Sequence, residues 1–283
     1  MRIFHLLPFL ILMFLSFTTP STSSTDSFIF GGCSQVKFLP GSDYENQVNS
    51  IFTSLANSAM FTSYNNFTSQ GSSSQDTVYG LFQCRGDLNS GQCSRCVALA
   101  VSRLGTLCVN SAGGALQLDG CFIKYDNLTF LGVEDKTVVL KKCGPSTELT
   151  SDALTRRDAV LAYLGASTGS YKVSSSGNVY GVAQCTGDLS MSECQDCVSD
   201  AIQRLKTECG GANWGDMYLA KCYARYSEGG DHSHGGKDDD HNKNDEEIQK
   251  TLAILVGLIA GVALIIIFIS FLSKVCRKHK EGK

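Results

Sequence analysis

Two apolar blocks stand near the ends of the chain, and the long stretch between them mixes apolar and polar positions. The first block, residues 6–17, follows Arg2 and gives way to a run of small, mostly polar residues up to Ser24. A charged start, a short apolar core and small residues after it are typical of a secretory signal peptide. We therefore predict a signal peptide over residues 1–24 and exclude it from the mature fold.

The second block, Leu252–Leu272, has no charged residue over its 21 positions. A helix of that length reaches about 31 Å, which matches a hydrocarbon core of about 30 Å. Basic residues follow the block and acidic residues precede it, which places the tail in the cytoplasm. The sequence predicts a single-pass type I membrane protein with an extracellular N-terminal part, a flexible acidic stalk at 228–250, a transmembrane helix at 251–272 and a cytoplasmic tail at 273–283.

The span and the tail carry two features that bear on association. Ala253, Gly257 and Gly261 form a row of small residues, which lets transmembrane helices pack closely. Cys276 lies beside the span among basic residues, a setting for S-acylation, although an unmodified thiol fits equally well. Because the tail is too short for a folded kinase, we expect lateral partners and homo- or hetero-oligomers, formed through the ectodomain or the transmembrane helix.

Between the two blocks, the spacing of apolar residues predicts helices and strands. Helical spacing runs through Asp43–Met60 and again near Ser151–Leu164, and a second helix in each half carries a Cys-x-x-Cys pair. Ser190 and Glu193 form a capping box ahead of the second helix of the later half. Strand patterns cover Tyr79–Gln83, Tyr180–Gln184, Ala115–Tyr125 and Met217–Tyr226.

These elements occur twice because the chain repeats one unit. A shift of 101 residues places Val78–Leu88 on Val179–Leu189, and five cysteines keep their spacing. An internal repeat of this kind indicates two domains, which we place at 25–132 (cysteine-rich domain 1) and 133–227 (cysteine-rich domain 2). The predicted fold class is α+β: two tandem disulfide-rich domains, each with two helices packed on an antiparallel sheet, followed by a single transmembrane helix.

Cysteine content supports an oxidised ectodomain. The chain has 13 cysteines, and all but Cys276 precede the span, with six in each repeat. Even counts in a secreted chain indicate a disulfide framework, although spacing alone does not choose the pairing. The pairs Cys93/Cys96 and Cys194/Cys197 also suit zinc or a redox site, but zinc needs reduced thiolates and the βαβ setting of a redox pair is not visible. We interpret the cysteines as structural, and free thiols at Cys93 or Cys96 would reopen the redox hypothesis.

Composition and charge exclude several function classes. A formal charge of −3 leaves no basic footprint for nucleic acid. Asp87 and Asp188 recur in the repeats, but each stands in a Gly-Asp-Leu turn, where Asp caps backbone amides rather than serving a glycosidase. We therefore expect no catalytic residue, no cofactor and no metal. The histidines lie outside the cysteine-rich body, which removes Ser-His-Asp and Cys-His catalysis from it: His5, His232, His234, His241 and His279.

Three further residues are candidates for modification or contact. Asn66-Phe-Thr and Asn127-Leu-Thr are acceptor sequences for N-glycosylation. Trp214, the only tryptophan, comes just before the last predicted strand of the second repeat. For Trp214, a core position is favoured over a surface contact.

The cysteine spacing resembles a known plant domain. Cys84-x8-Cys93-x2-Cys96, followed by Cys108 and Cys121 and repeated in the second unit, is similar to the cysteine-rich domain of the ginkgo antifungal protein and of cysteine-rich receptor-like kinases. Two such domains with a stalk, one span and a short tail resemble the plasmodesmata-located proteins of plants. The pairing that this resemblance implies is Cys33–Cys108, Cys84–Cys93, Cys96–Cys121, Cys143–Cys209, Cys185–Cys194 and Cys197–Cys222.

The resemblance also implies a function. Plasmodesmata-located proteins lie in the plasma membrane that lines plasmodesmata, and they regulate cell-to-cell passage, often through callose deposition and in defence. The partners implied are the membrane, a cell-wall glycan or another protein, receptor-like kinases and viral movement proteins. An alternative hypothesis is a kinase-less accessory subunit of cysteine-rich receptor-like kinases in defence signalling.

One departure from the ginkgo protein argues against mannose as the ligand. That lectin binds mannose through an Asn directly after the first cysteine, an Arg six residues before the last and a Glu five residues after it. Because the Arg is missing from both repeats, the sugar-binding donors do not converge as a mannose site requires. The corresponding residues here are Ser34, Ala115 and Asp126 in the first repeat, and Gly144, Asp216 and Ser227 in the second.

Overall fold

The computed structural model describes residues 24–72, 76–145 and 150–229. The predicted signal peptide, nearly all of the stalk, the span and the tail lie outside these ranges, and so do Ala253, Gly257, Gly261 and Cys276. Within the described ranges, no helix has the length and apolar character needed to cross a membrane.

Each repeat is one five-stranded antiparallel sheet with two helices, which confirms the predicted α+β architecture. The sheet order is β1-β4-β5-β3-β2 in the first repeat and β6-β9-β10-β8-β7 in the second. The first repeat contains β1 (Phe28–Cys33), α1 (Asp43–Ser58), β2 (Tyr64–Ser69), β3 (Val78–Cys84), α2 (Ser90–Leu107), β4 (Gly113–Leu118) and β5 (Cys121–Asp126). The second contains β6 (Val138–Cys143), α3 (Ser151–Ala166), β7 (Tyr171–Ser176), β8 (Val179–Cys185), α4 (Met191–Glu208), β9 (Trp214–Leu219) and β10 (Cys222–Glu228).

Side-chain caps fix where the helices begin. Ser190 and Glu193 form the predicted capping box at the start of α4. Asn89 and Gln92 form a second capping box at the start of α2, which the sequence analysis did not identify. In both boxes the side chains satisfy backbone N–H groups that have no partner inside the helix.

The helices lie on one face of each sheet, and glycine permits their close approach. Ile51 and Leu55 on α1 are almost fully buried, and a Cβ built on Gly80 of β3 would lie 2.3 Å from Cγ2 of Ile51. The second repeat has the same arrangement, with Gly181 of β8 beneath Val160 at 2.4 Å. At each place, the helix rests on backbone where any other residue would present a side chain.

Disulfides attach the Cys-x-x-Cys helix of each repeat to its sheet. In the first repeat they join β3 to the first turn of α2, α2 to β5, and β1 to the C-cap residue that follows α2. The second repeat has the equivalent bonds. The pairs are Cys84–Cys93, Cys96–Cys121, Cys33–Cys108, Cys185–Cys194, Cys197–Cys222 and Cys143–Cys209. Each pair is one that the resemblance implied.

The outer strands of both sheets are the elements that the apolar pattern did not predict. β2 reads Tyr-Asn-Asn-Phe-Thr-Ser and β7 reads Tyr-Lys-Val-Ser-Ser-Ser, so neither shows the apolar alternation of a half-buried strand. The stretch Ala115–Tyr125 is in fact a hairpin, since Asp119 and Gly120 separate β4 from β5. Trp214 was predicted to lie just before a strand but is the first residue of β9, and it is half-buried rather than part of the core.

The close contact between α1 and β3 predicts that Gly80→Ala destabilises the protein. The added methyl group would overlap Ile51, and overpacking of this kind costs about 1–3 kcal/mol. We expect a lower midpoint of thermal unfolding by calorimetry. Gly32→Ala is the matched control, because a Cβ at Gly32 meets nothing within 4 Å. Equal midpoints for the two variants would contradict a close contact between Gly80 and Ile51.

Candidate functional site

The boundary between the repeats is built from contacts that each repeat makes on the other, within one compact unit. A Cβ on Gly187 would lie 2.6 Å from the ring of Tyr64, and a Cβ on Gly86 would lie 2.4 Å from the ring of Tyr171. Each tyrosine opens the outer strand of its own sheet and covers the Gly-Asp-Leu turn of the other repeat. The contact is therefore reciprocal, as in a dimer with two-fold symmetry.

A second contact across the boundary uses a glutamine that both repeats share, with one copy as donor and the other as acceptor. Gln184 donates a hydrogen bond from Nε2 to the backbone oxygen of Cys84 at 2.9 Å. Gln83 accepts one at Oε1 from the backbone N–H of Gly187, also at 2.9 Å. The repeated Gln-Cys-x-Gly sequence thus serves the boundary as well as the disulfide framework.

A buried charge joins the two sheets. Arg225 of β10 is 2% exposed, and it contacts Asp119 of the first repeat and Asp216 of its own repeat, each at 2.8 Å. Arg85 approaches the second oxygen of Asp119 at 2.5 Å. Burial opposes the charge on Arg225, but Tyr218 and the two carboxylates raise its pKa well above the ordinary value. The guanidinium is therefore charged at every physiological pH.

The segment between the repeats is held by a second buried cation. Lys221 contacts the carboxylate of Asp188 and donates a hydrogen bond to the backbone oxygen of Phe130 at 2.8 Å. The backbone N–H of Gly132 donates to Asp188 at 2.9 Å. Burial lowers the pKa of Lys221, and Asp188 opposes that shift. The connecting segment is thus part of the boundary rather than a free linker.

Aromatic rings fill the space between the sheets. The ring of Phe30 meets Tyr218 edge-on, with 5.7 Å between centroids, and Tyr218 lies 5.0 Å from Tyr223. Burial raises the pKa of both tyrosines, so the phenols are neutral. They contribute apolar area and aromatic contacts to the boundary.

The two recurring aspartates have a role beyond the predicted one. Each does lie in a turn, since Leu88 and Leu189 donate backbone hydrogen bonds three residues back. Their carboxylates, however, bind cations: Asp188 binds Lys221, and Asp87 binds Arg85. Burial acts to raise the pKa of Asp87, but the hydrogen bond from Arg85 holds it below the ordinary value. Asp188 also accepts a backbone N–H, that of Gly132, so capping of a backbone amide and pairing with a cation occur together at this aspartate.

An open cleft lies on the first repeat where the resemblance would place a ligand. Its volume is about 510 Å³, and Ser34, Ala115 and Asp126 line it together with Lys124 and Val139 of β6. Small residues form its floor, since Gly31, Gly32, Gly113 and Gly114 also border it.

The second repeat uses its corresponding residues in another way. Asp216 is committed to Arg225, and a Cβ on Gly144 would overlap Trp214 at 2.5 Å. Over the described ranges, no group of three or more His, Cys, Asp or Glu residues could hold a metal ion. The cleft of the first repeat is therefore the better candidate for binding.

The two glycosylation candidates lie in different settings. Asn66 is exposed on β2, and its Nδ2 donates a hydrogen bond to the hydroxyl of Tyr64 at 2.7 Å. Asn127 follows directly after β5, at the start of the connecting segment.

The boundary residues that sequence reasoning missed fall into two groups, one with a signal in the repeat and one without. Gln83 and Gln184, and likewise Gly86 and Gly187, are identical across the 101-residue shift, so the repeat itself contained a signal for them. Arg225 carried none, because its counterpart in the first repeat is Lys124 and the two side chains have different partners.

The comparisons with known proteins agree with this architecture. A family model described as "Salt stress response/antifungal" matches residues 32–128 and 142–229. The chain is 60% identical over 271 residues to plasmodesmata-located protein 6 of Arabidopsis thaliana, covering 94% of each chain. It is 58% identical over 266 residues to plasmodesmata-located protein 7 of the same plant, covering 92% of this chain and 88% of the relative.

A solved structure has the same tandem arrangement. The crystal structure of the tandem DUF26 ectodomain of the Arabidopsis thaliana cysteine-rich receptor-like protein PDLP5 is 52% identical in sequence, with a TM-score of 0.69. The match covers 72% of this chain and 100% of that chain.

The buried charge predicts that Asp119→Asn weakens the boundary. The change removes the carboxylate shared by Arg225 and Arg85, and breaking a buried pair costs about 3–5 kcal/mol. We expect calorimetry to show a lower midpoint and two separate transitions, one for each repeat. Asp152→Asn is the control, because its pair with Arg156 is exposed and such pairs contribute about 0–1 kcal/mol. An Asp119→Asn protein as stable as the control would disprove the coupling.

Proposed function

The chain belongs to the plasmodesmata-located proteins, receptor-like proteins with a tandem DUF26 ectodomain, and on this basis we propose that it modulates cell-to-cell trafficking at plasmodesmata. In this proposal it is a non-enzymatic, single-pass type I protein of the plasma membrane, its ectodomain faces the wall, and its action is linked to callose and to defence. The observation that carries the proposal is the 60% identity to plasmodesmata-located protein 6 over 94% of both chains.

The architecture of the ectodomain supports a binding role rather than catalysis. At the boundary between the repeats, the cations Arg225, Lys221 and Arg85 pair with three carboxylates, so their charges neutralise one another. Such a boundary holds the two repeats in one orientation, which suits a module that presents a preformed surface.

We propose that the cleft of the first repeat is where a wall component or a protein binds. It is open, it has a floor of small residues, and Lys124 and Asp126 place one charge of each sign at its wall. These features suit a ligand that combines flat apolar area with hydroxyl or amide groups. They do not restore a mannose site, because Ala115 provides no hydrogen-bond donor from its side chain.

The location is the first test of the proposed function. The full chain with a C-terminal fluorescent tag is expressed in leaf epidermis, and the wall is stained for callose. We expect paired puncta across shared walls, coincident with callose, and a slower spread of a cytosolic fluorescent tracer when the protein is overexpressed.

A uniform cell outline with unchanged tracer spread would refute this proposal. If affinity capture from the same tissue then recovered a cysteine-rich receptor-like kinase, the accessory-subunit hypothesis would replace it. As a control, Asp152→Asn alters an exposed ion pair outside the proposed cleft, and this variant should show the same location and tracer spread as the wild type.

The cleft predicts a separate effect of Gly32→Trp. An indole at this position would occupy the cleft, and Gly32 has open space where its Cβ would lie, so the fold should tolerate the change. We expect the variant to reach plasmodesmata with the wild-type thermal midpoint but to lose its effect on tracer spread. Full tracer restriction by the variant would exclude the cleft while leaving the location intact.

A further inference from the structure

Both sheets end in strands whose outer side pairs with no other strand in the described part of the chain: β1 and β2 in the first repeat, and β6 and β7 in the second. An outer strand of this kind offers free N–H and C=O groups to any other extended chain. Proteins avoid the resulting aggregation with bulges, with inward-pointing charges or by covering the edge. The four outer strands differ in which of these devices they carry.

Two of the outer strands are irregular. The pairing of β1 with β4 shifts register between Phe28 and Phe30, and the pairing of β6 with β9 shifts between Val138 and Leu140. A shift of this kind twists the strand and interrupts the row of hydrogen-bonding groups. β1 and β6 are thus poor templates for an added strand.

The other two outer strands are regular. β2 pairs with β3 at six consecutive positions, from Tyr64↔Gln83 to Ser69↔Val78, without a shift. β7 pairs with β8 in the same way, from Tyr171↔Gln184 to Ser176↔Val179. Their regular geometry makes them the two edges that need a device of another kind.

β7 has an inward-pointing charge. Lys172 is 4% exposed, and burial lowers its pKa. A strand added to β7 would remove the remaining solvent from this ammonium group, and burying a charge without a partner is costly. Lys172 therefore makes pairing at this edge unfavourable.

β2 lacks that charge and carries a glycosylation sequence instead. The two registers align Lys172 with Asn65, whose amide is neutral and donates to the hydroxyl of Ser58 at 2.8 Å. They align Val173 with Asn66, the exposed acceptor of Asn66-Phe-Thr68. Of these two regular edges, the one without a charged guard is the one that carries the acceptor sequence.

We propose that an N-linked oligosaccharide on Asn66 guards the β2 edge against pairing with another chain. In its attachment, the amide nitrogen of Asn66 bonds to the anomeric carbon of a lipid-pyrophosphate-linked oligosaccharide, the lipid pyrophosphate leaves, and one amide proton is lost. A hydrated glycan of this bulk on the outer strand occupies the volume that an incoming strand would need.

The local contacts root the glycan on a fixed side chain. The glycosylated amide retains one N–H, which suffices for its hydrogen bond to the hydroxyl of Tyr64. Tyr64 is itself packed on Gly187 across the boundary between the repeats. The first sugar is therefore held beside the sheet rather than on a mobile loop.

The test removes the glycan in two ways from the full-length protein, expressed in plant cells and solubilised in detergent. Thr68→Ala abolishes the acceptor sequence but keeps Asn66 and its bond to Tyr64, whereas Asn66→Lys abolishes it and adds a charge to the edge. Asn127→Gln is the matched control, because it removes the other glycan from a position outside the sheets. Glycopeptide mass spectrometry establishes the occupancy of both sites, and size-exclusion chromatography with light scattering measures the oligomers.

We expect Asn66 to be occupied in the wild type and Thr68→Ala to form a several-fold larger fraction of high-mass species than Asn127→Gln. Asn66→Lys should return that fraction to the wild-type level, because its charge replaces the glycan as the guard. Only the fraction with intact disulfides is compared, so that misfolding is not counted as pairing. An unoccupied Asn66, or equal size distributions for Thr68→Ala and Asn127→Gln, would overturn the proposal.

Discussion

The tandem arrangement depends on the ion pairs of Arg225, whose guanidinium group has almost no access to water. Removing a charge from water is expensive, and the cost is offset only when carboxylates surround it with good geometry. One of those carboxylates, Asp119, comes from the other repeat. Any relative displacement of the sheets would leave a buried charge without its partner, so the ion pair favours a single orientation of the repeats far more than it favours folding of either one.

Around this asymmetric charge, the rest of the boundary is nearly symmetric. The tyrosine–glycine contact occurs twice with the repeats exchanged, as expected if one ancestral surface paired with a copy of itself. Gln83 and Gln184 also each hydrogen-bond the backbone of the other repeat, one as acceptor and one as donor. Arg225 and Lys124 show where the copies have since diverged. The same divergence separates the residues of the cleft. Ala115 lines the cleft of the first repeat, whereas its counterpart Asp216 binds Arg225 at the boundary.

The predictability of the fold from sequence followed the strength of the apolar pattern. α1 was predicted as Asp43–Met60 and spans Asp43–Ser58, because Val48, Ile51 and Leu55 mark a buried face. β2 and β7 escaped prediction because each is mostly polar along its length, including the buried Lys172 of β7. The charged partners of Arg225 and Lys221 are far apart in the chain, and no local pattern records such a pairing; the disulfide pairing came from resemblance alone.

The position of β10 has a mechanical consequence. This strand is the central one of its sheet, paired along its length with β8 and over most of it with β9, and it leads directly toward the predicted stalk. In the proposed single-pass topology, a pull from the membrane would load β10 along its axis, so that many interstrand hydrogen bonds resist at once instead of opening one by one. The Cys197–Cys222 bond ties the far end of the strand to α4. In the proposed topology, the second repeat would therefore be the part of the ectodomain that carries tension from the membrane.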